Sequence, residues 1–299
     1  MSEIYYDASQ QWVLNFTLAL MVLGLALDVK PKAFSQVLKS PKAPAIALLA
    51  QFLLLPMFTC LLTLVLDLPV GIELGMILVA ACPGGALSNF ITHLSGGNAA
   101  LSISITAISS SLALFMLPIN FVFWAGLNPE THSMLQSINV SGFDILLSLL
   151  MVLALPLILG FTMQHFLPKL SSVLHHVLKY LSVAALFVFI FVAIFRNQEA
   201  FFEHFWLLLL IVFIHNALAL SLGYFSSSAA KLNLADKKAV TLEVGMQNSS
   251  LAIAIVFTQF GGEYGMALIS AFWGTWHIVS GLVFAALSAR YLRSKRFKE

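Results

Sequence analysis

One acidic side chain, Glu243, stands inside a long apolar run, closely followed by Gln247, Asn248, Ser249 and Ser250 and then by the apolar stretch 251–257. Placing an ionisable group at membrane depth costs about 2.5–3.5 kcal/mol on insertion scales, so such a group is a functional hypothesis by default and needs a partner. Its neighbours offer hydroxyl, amide and freed carbonyl oxygens. Oxygen-rich, weakly charged groupings suit hard cations, and no His/Cys cluster here has the spacing of a transition-metal site. A single carboxylate among neutral oxygens neutralises a monovalent ion, whereas a tightly held divalent ion calls for several carboxylates. Sodium or a proton is therefore the expected guest.

A second polar interruption repeats the pattern without a carboxylate, in Cys82-Pro83-Gly84-Gly85 through Ser88-Asn89. Pro83 removes a backbone donor, Gly84 and Gly85 permit unwound backbone, and Ser88 and Asn89 begin a second half-helix whose N-terminus carries partial positive charge. Such an end can hold an anion while the preceding carbonyls face a cation. In the next span Ser102, Thr106, Ser109 and Ser110 fall at i, i+4, i+7 and i+8, one hydroxyl stripe on a helix. Ser102 and Thr106 are read as ion ligands. Ser109 and Ser110 are read as helix-packing residues, since small hydroxyl side chains are common at membrane helix interfaces. Gln51, isolated in the middle of an apolar span before Pro56, also requires an internal partner.

These residues must be positioned by spanning helices. With 299 residues, 60% hydrophobic content, 9% charged residues and a mean hydropathy of +0.95, the chain is a polytopic membrane protein and not a soluble domain. A spanning helix needs roughly 20 mostly apolar residues. Runs of that kind fall at about 11–28, 44–66, 71–95, 98–124, 144–167, 173–195, 202–228, 234–259 and 262–291, which predicts about nine spans in a single all-α domain over 1–299. The longest polar linkers, 29–43 and 126–143, are too short to bury a core of their own. Both interruptions fall inside predicted spans. Broken helices at that depth are tolerated only where they are buried in protein or line a cavity, and a pair of them points to a transport site.

Charge placement gives an orientation. If the spans alternate, every Lys and Arg except Arg196 falls on one side, from Lys30 and Lys32 to the basic tail Arg290 to Lys298. That predicts an integral, multi-pass plasma (inner) membrane protein with its N-terminus outside and its C-terminus in the cytosol. The net charge of +2 then reflects topology and the contact of a basic tail with anionic lipid, and gives no reason to expect nucleic acid. Residues 1–11 are polar and do not read as a cleaved signal. Cys60 and Cys82 lie in apolar spans without redox or metal spacing and are read as packing residues. His215 and His277, also inside spans, are read as helix–helix hydrogen-bonding residues.

The segments Pro83-Gly84-Gly85-Ala86-Leu87-Ser88-Asn89, Gly97-Asn98-Ala99-Ala100-Leu101-Ser102 and Glu243-Val244-Gly245-Met246-Gln247-Asn248-Ser249 resemble the signatures of the bile acid:sodium symporter family, and the resemblance covers most of the chain. It implies inverted repeats with two crossed discontinuous helices, a core domain (about 44–124 and 202–259) and a panel domain (about 11–28, 144–195 and 262–291). It also implies one sodium site at Ser88, Asn89, Ser102, Thr106 and Glu243, and a second at Gln51, Glu243, Val244, Met246 and Gln247. In the second, Val244 and Met246 could give only backbone carbonyls. Substrate would lie near Ala86, Asn89, Asn248, Ser249 and Ser250. Ala86 stands where relatives often carry Thr or Asn, and Ser250 where a small apolar residue is common.

The expected activity is secondary-active, sodium-coupled import of an amphipathic organic anion such as a bile acid or related carboxylate. Proton coupling through Glu243, passive organic-anion or oxyanion transport, and an uncoupled membrane receptor are the alternatives. An enzyme is not expected, because no Ser or Cys has an obvious base and orienting group on a neighbouring span.

Overall fold

The computed structural model describes residues 37–137, 142–196 and 198–296, with isolated helical positions between 16 and 27. The predicted first span, 11–28, therefore lies largely outside the described residues. From there the order is α1 (Lys42–Leu66), α2 (Val70–Ala81), α3 (Ala86–Leu94), α4 (Ala99–Leu127), α5 (Pro129–Ser137), α6 (Gly142–Phe166), α7 (Pro168–Arg196), α8 (Gln198–Ala229), α9 (Leu234–Gly245), α10 (Ser249–Gln259) and α11 (Tyr264–Arg296). Five segments among the described residues are long and apolar enough to cross a membrane, within α1, α4, α6, α8 and α11. The predicted spans 71–95 and 234–259 are each split, into α2–α3 and α9–α10. The linker 126–143 differs from its reading as a plain connection: α4 runs on to Leu127, and residues 129–137 form the short α5.

Local chemistry explains the irregular points. Residues 50–54 of α1 form a π turn just before Pro56. Proline lacks the N–H that would close an α turn, and its ring crowds the carbonyl of residue 52, so the backbone widens there. Pro83 likewise ends α2: the residue before a proline is pushed out of the α region, and Cys82 is extended at φ −68°, ψ 156°. The second split has no proline. Met246 leaves helical geometry at φ −128°, ψ 80°, and Asn248 restarts the chain by accepting the Leu251 N–H at 3.1 Å as the N-cap of α10.

The split helices occupy the interior. Every residue of α2 from Gly71 to Ala81 is buried, as α2 packs against α11, α4 and α1. Apart from Glu73 it is apolar all round, and such a helix belongs in a core. The stretch of α9 from Lys238 to Gly245 is equally buried, enclosed by α8, α3, α4 and α1. At the other end of α9 the turn before α4 is tied down: Asn98 Nδ2 donates to Asp236 Oδ1 at 2.7 Å, Asn98 Oδ1 caps Leu101 N–H at 3.1 Å, and Lys238 Nζ donates to the Ser95 carbonyl at 2.6 Å. These bonds fix α3 and α4 against α9.

Candidate functional site

The two breaks meet. Gly84 and Gln247 form an isolated antiparallel bridge, with the Gly85 N–H donating to the Met246 carbonyl at 2.7 Å and the Asn248 N–H donating to the Pro83 carbonyl at 2.8 Å. Backbone groups freed from two helices thus satisfy each other, as burial at membrane depth requires. The crossing leaves no room for side chains at its centre. A Cβ on Gly84 would run into the carboxylate of Glu243, and one on Gly85 would come within 3.3 Å of the Gln247 carbonyl. Gly84 is thus needed for close approach.

Glu243, wholly buried, sits beside this bridge at the end of α9. Ser88 Oγ donates to its Oε2 at 2.7 Å, and Ser102 Oγ lies 3.3 Å from the same oxygen. Thr106 Oγ1 is 2.7 Å from Oε1 and 2.9 Å from Oε2, and also 3.0 Å from both Asn89 Oδ1 and the Ser102 carbonyl. Ser102 Oγ is 2.8 Å from Asn89 Oδ1. Three helices, α3, α4 and α9, therefore bring Ser88, Asn89, Ser102, Thr106 and Glu243 together. A hydroxyl has one proton to give. Thr106 faces four acceptor oxygens with one proton, and Ser102 faces two, so the cluster holds more lone pairs than hydrogens. Surplus buried oxygen is the condition a cation satisfies.

The rest of the hydroxyl stripe behaves differently. Ser109 Oγ donates back to the Thr106 carbonyl of its own helix at 3.1 Å, and Ser110 Oγ has no partner among the described residues.

On the other side of the bridge the π turn of α1 aims Gln51 at the second break. Gln51 Nε2 donates to Gln247 Oε1 at 3.3 Å and approaches the Cys82 carbonyl at 3.5 Å, and Gln247 Nε2 donates to the Val244 carbonyl at 2.8 Å. The Met246 carbonyl is taken by Gly85. Gln51, Gln247 and Val244 are thus linked, with Met246 in the bridge beside them. The hydrogen bonds of the Glu243 carboxylate among the described residues all go to Ser88, Ser102 and Thr106.

The residues expected near substrate lie at the starts of the two second half-helices. Ala86 is exposed, Asn89, Asn248 and Ser250 are half-buried, and Ser249 is buried where α11 passes closely: a Cβ on Gly274 would lie 2.7 Å from Ser249 Oγ. The N-terminus of α3 has no side-chain cap, whereas that of α10 is capped by Asn248.

Several buried polar residues fall outside the expected sets. Asn216 on α8 donates to the Gly245 carbonyl at 2.7 Å. Its position beside His215 in the middle of an apolar span was the signal available for it. His215 Nε2 and Thr59 Oγ1 are 2.8 Å apart, which links α8 to α1. Glu73, near the start of α2, is buried and accepts from Leu68 N–H at 3.0 Å and Asn128 Nδ2 at 2.8 Å.

A helical membrane protein whose two broken helices cross around a buried carboxylate belongs among the transporters. Residues 15–204 match the model of the Sodium Bile acid symporter family, and the chain belongs to that family. It is 28% identical over 288 residues to the uncharacterized sodium-dependent transporter YocS of Bacillus subtilis, covering 95% of this chain and 86% of YocS. It is 29% identical to the probable sodium/metabolite cotransporter BASS1 of Oryza sativa, a match that spans 83% of this chain and 58% of that protein. The human ileal sodium/bile acid cotransporter is 26% identical, over 84% of this chain and 70% of its own length. The protein is a multi-pass membrane transporter of the sodium-dependent class and not an enzyme.

Proposed function

We propose that the protein imports an amphipathic organic anion, such as a bile acid or a related carboxylate, together with sodium, and that the ions bind at the crossing of the two broken helices. The observation that carries this reading is the surplus of oxygen acceptors over protons around Glu243. One ion is assigned to Ser88, Asn89, Ser102, Thr106 and Glu243. A second is assigned to Gln51, Gln247, the carbonyls of Val244 and Met246, and Glu243 from its other side. Neutral oxygens with one shared carboxylate hold sodium without trapping it.

The cargo is assigned to the space next to Ala86, Asn89, Asn248, Ser249 and Ser250. The uncapped α3 N-terminus offers N–H groups and partial positive charge to a carboxylate. Ions that fix the two breaks against each other also fix these helix starts, so the cargo binds better in the sodium-loaded state, and that difference is the coupling. Each uncompensated positive charge moved inward gains about 2.3 kcal/mol per 100 mV of membrane potential. Residues 44–124 and 202–259 are assigned to a core, and 11–28, 144–195 and 262–291 to a panel that rocks against it, the halves being inverted repeats. The N-terminus is assigned to the outside and the basic tail to the cytosol.

The test is uptake of labelled organic anions into proteoliposomes under an inward sodium gradient. Accumulation above equilibrium that needs sodium supports symport. Equilibration that ignores the gradient contradicts it. One observation favours a second reading: a proton on Glu243 would also relieve the shortage of hydrogens around Thr106, so accumulation driven by a pH gradient without sodium would select proton coupling.

A further inference from the structure

Three amides around the second break donate toward it. Gln51 gives its N–H to Gln247, Gln247 gives its N–H to the Val244 carbonyl, and Asn216 gives its N–H to the Gly245 carbonyl. These acceptors fix which way each amide points, because a flipped Asn216 would set oxygen against oxygen at 2.7 Å. The consequence lies at the far ends. Gln51 Oε1 and Asn216 Oδ1 are both fully enclosed and have no hydrogen-bond partner among the described residues. A buried amide oxygen without a donor costs its desolvation and calls for a donor or a cation.

Both oxygens belong to side chains that hold the second break. Gly245, held by Asn216 at the end of α9, and Gln247, held by Gln51 in the break, are two residues apart, at most about 7 Å along the chain. Helix α8 packs against both the π turn that carries Gln51 and the helix α9 that ends at Gly245. No Lys or Arg among the described residues bonds to either oxygen. A small, electron-poor group at the break would satisfy them.

We infer that Asn216 completes the second cation site, giving its Oδ1 to a monovalent cation shared with Gln51 Oε1 while its amide nitrogen holds the Gly245 carbonyl at the break. The inference rests on the sodium reading above and adds a third helix, α8, to the site. It also gives α8 a stake in the ion-loaded state, because an ion between α1, α8 and the second break ties the three together.

Equilibrium binding of radioactive sodium to the purified full-length protein tests this without any cargo. The unaltered protein is expected to bind two ions, and Asn216→Ala to bind one of them about tenfold or more weakly, the cost of losing one oxygen contact to a charge. The other ion, at Ser88, Asn89, Ser102, Thr106 and Glu243, is retained and shows that the variant is folded. If Asn216→Ala does not yield folded protein, Asn216→Ser, too short to reach the Gly245 carbonyl, is read the same way. Sodium binding unchanged in the variant overturns the inference and leaves symport standing. Loss of both ions from a folded variant makes Asn216 a structural anchor and also overturns it. An unaltered protein that binds no sodium overturns this inference together with the symport reading.

Discussion

Thr106 Oγ1 stands 2.7 Å from one carboxylate oxygen of Glu243 and 2.9 Å from the other, although 137 residues separate the two in the chain. One hydroxyl proton cannot serve both oxygens, and the same hydroxyl also faces Asn89 Oδ1 and the Ser102 carbonyl at 3.0 Å. A cation sharing the space would satisfy the oxygens that this one proton leaves without a donor. The fold brings α3, α4 and α9 to one point there, which is where the proposed coupling ion is assigned.

Removing the carboxylate removes the only charge among these oxygens. Glu243→Ala should abolish sodium-driven accumulation in proteoliposomes while the protein remains monodisperse in detergent. A variant with unchanged sodium dependence would refute the assignment of Glu243.

The hydroxyl stripe of α4 should divide in two. Ser102→Ala combined with Thr106→Ala removes two oxygens from the cluster and should raise the half-saturation for sodium in uptake by about tenfold or more. Ser109→Ala, whose hydroxyl donates to its own helix, should leave it unchanged. Equal effects from the two changes would return the whole stripe to helix packing.

Gly84 should not tolerate a methyl group. Gly84→Ala would place its Cβ against the Glu243 carboxylate and force either the bridge to Gln247 or the carboxylate to move. Sodium-dependent transport should be lost, with most of the folded protein retained. Unaltered half-saturation for sodium in Gly84→Ala would contradict the close approach.

Asn98 offers a contrast, since it is structural. Asn98→Ala loses the cap on Leu101 and the bond to Asp236, and should lower stability by about 1–3 kcal/mol. The half-saturation for sodium should be unchanged. A large change in sodium affinity without a change in melting temperature would reverse that division.

How much of this was legible in the sequence follows from what kind of signal each residue leaves. Glu243, Ser88, Asn89, Ser102 and Thr106 are polar residues inside apolar runs, and Ser102 and Thr106 are also one turn apart, so polarity and period point at them directly. The meeting of the two breaks left no such trace: Pro83 and the glycines predict unwound backbone, but the pairing of Gly84 with Gln247 is a long-range register that no local pattern encodes. Gln51 was visible as a lone amide, whereas the π turn that aims it had only Pro56 as a cue. Asn216 was hidden in a different way. A single amide in a span is ordinarily helix–helix glue, and only the unsatisfied oxygen in the folded protein separates it from that background. Glu73 lies at the start of a predicted span, where an acid is unremarkable, and its buried position is matched by Asn128 reaching back from the end of α4.

Sodium binding by the oxygens around Glu243 is tested by the melting temperature of the purified protein titrated with sodium against equal potassium or choline. A ligand that binds only the folded state raises stability as RT ln(1 + [L]/Kd). A saturable rise specific to sodium, abolished in Glu243→Gln, is the expected result. The same melting curve in sodium and potassium, or a sodium-specific rise that survives in Glu243→Gln, would contradict it.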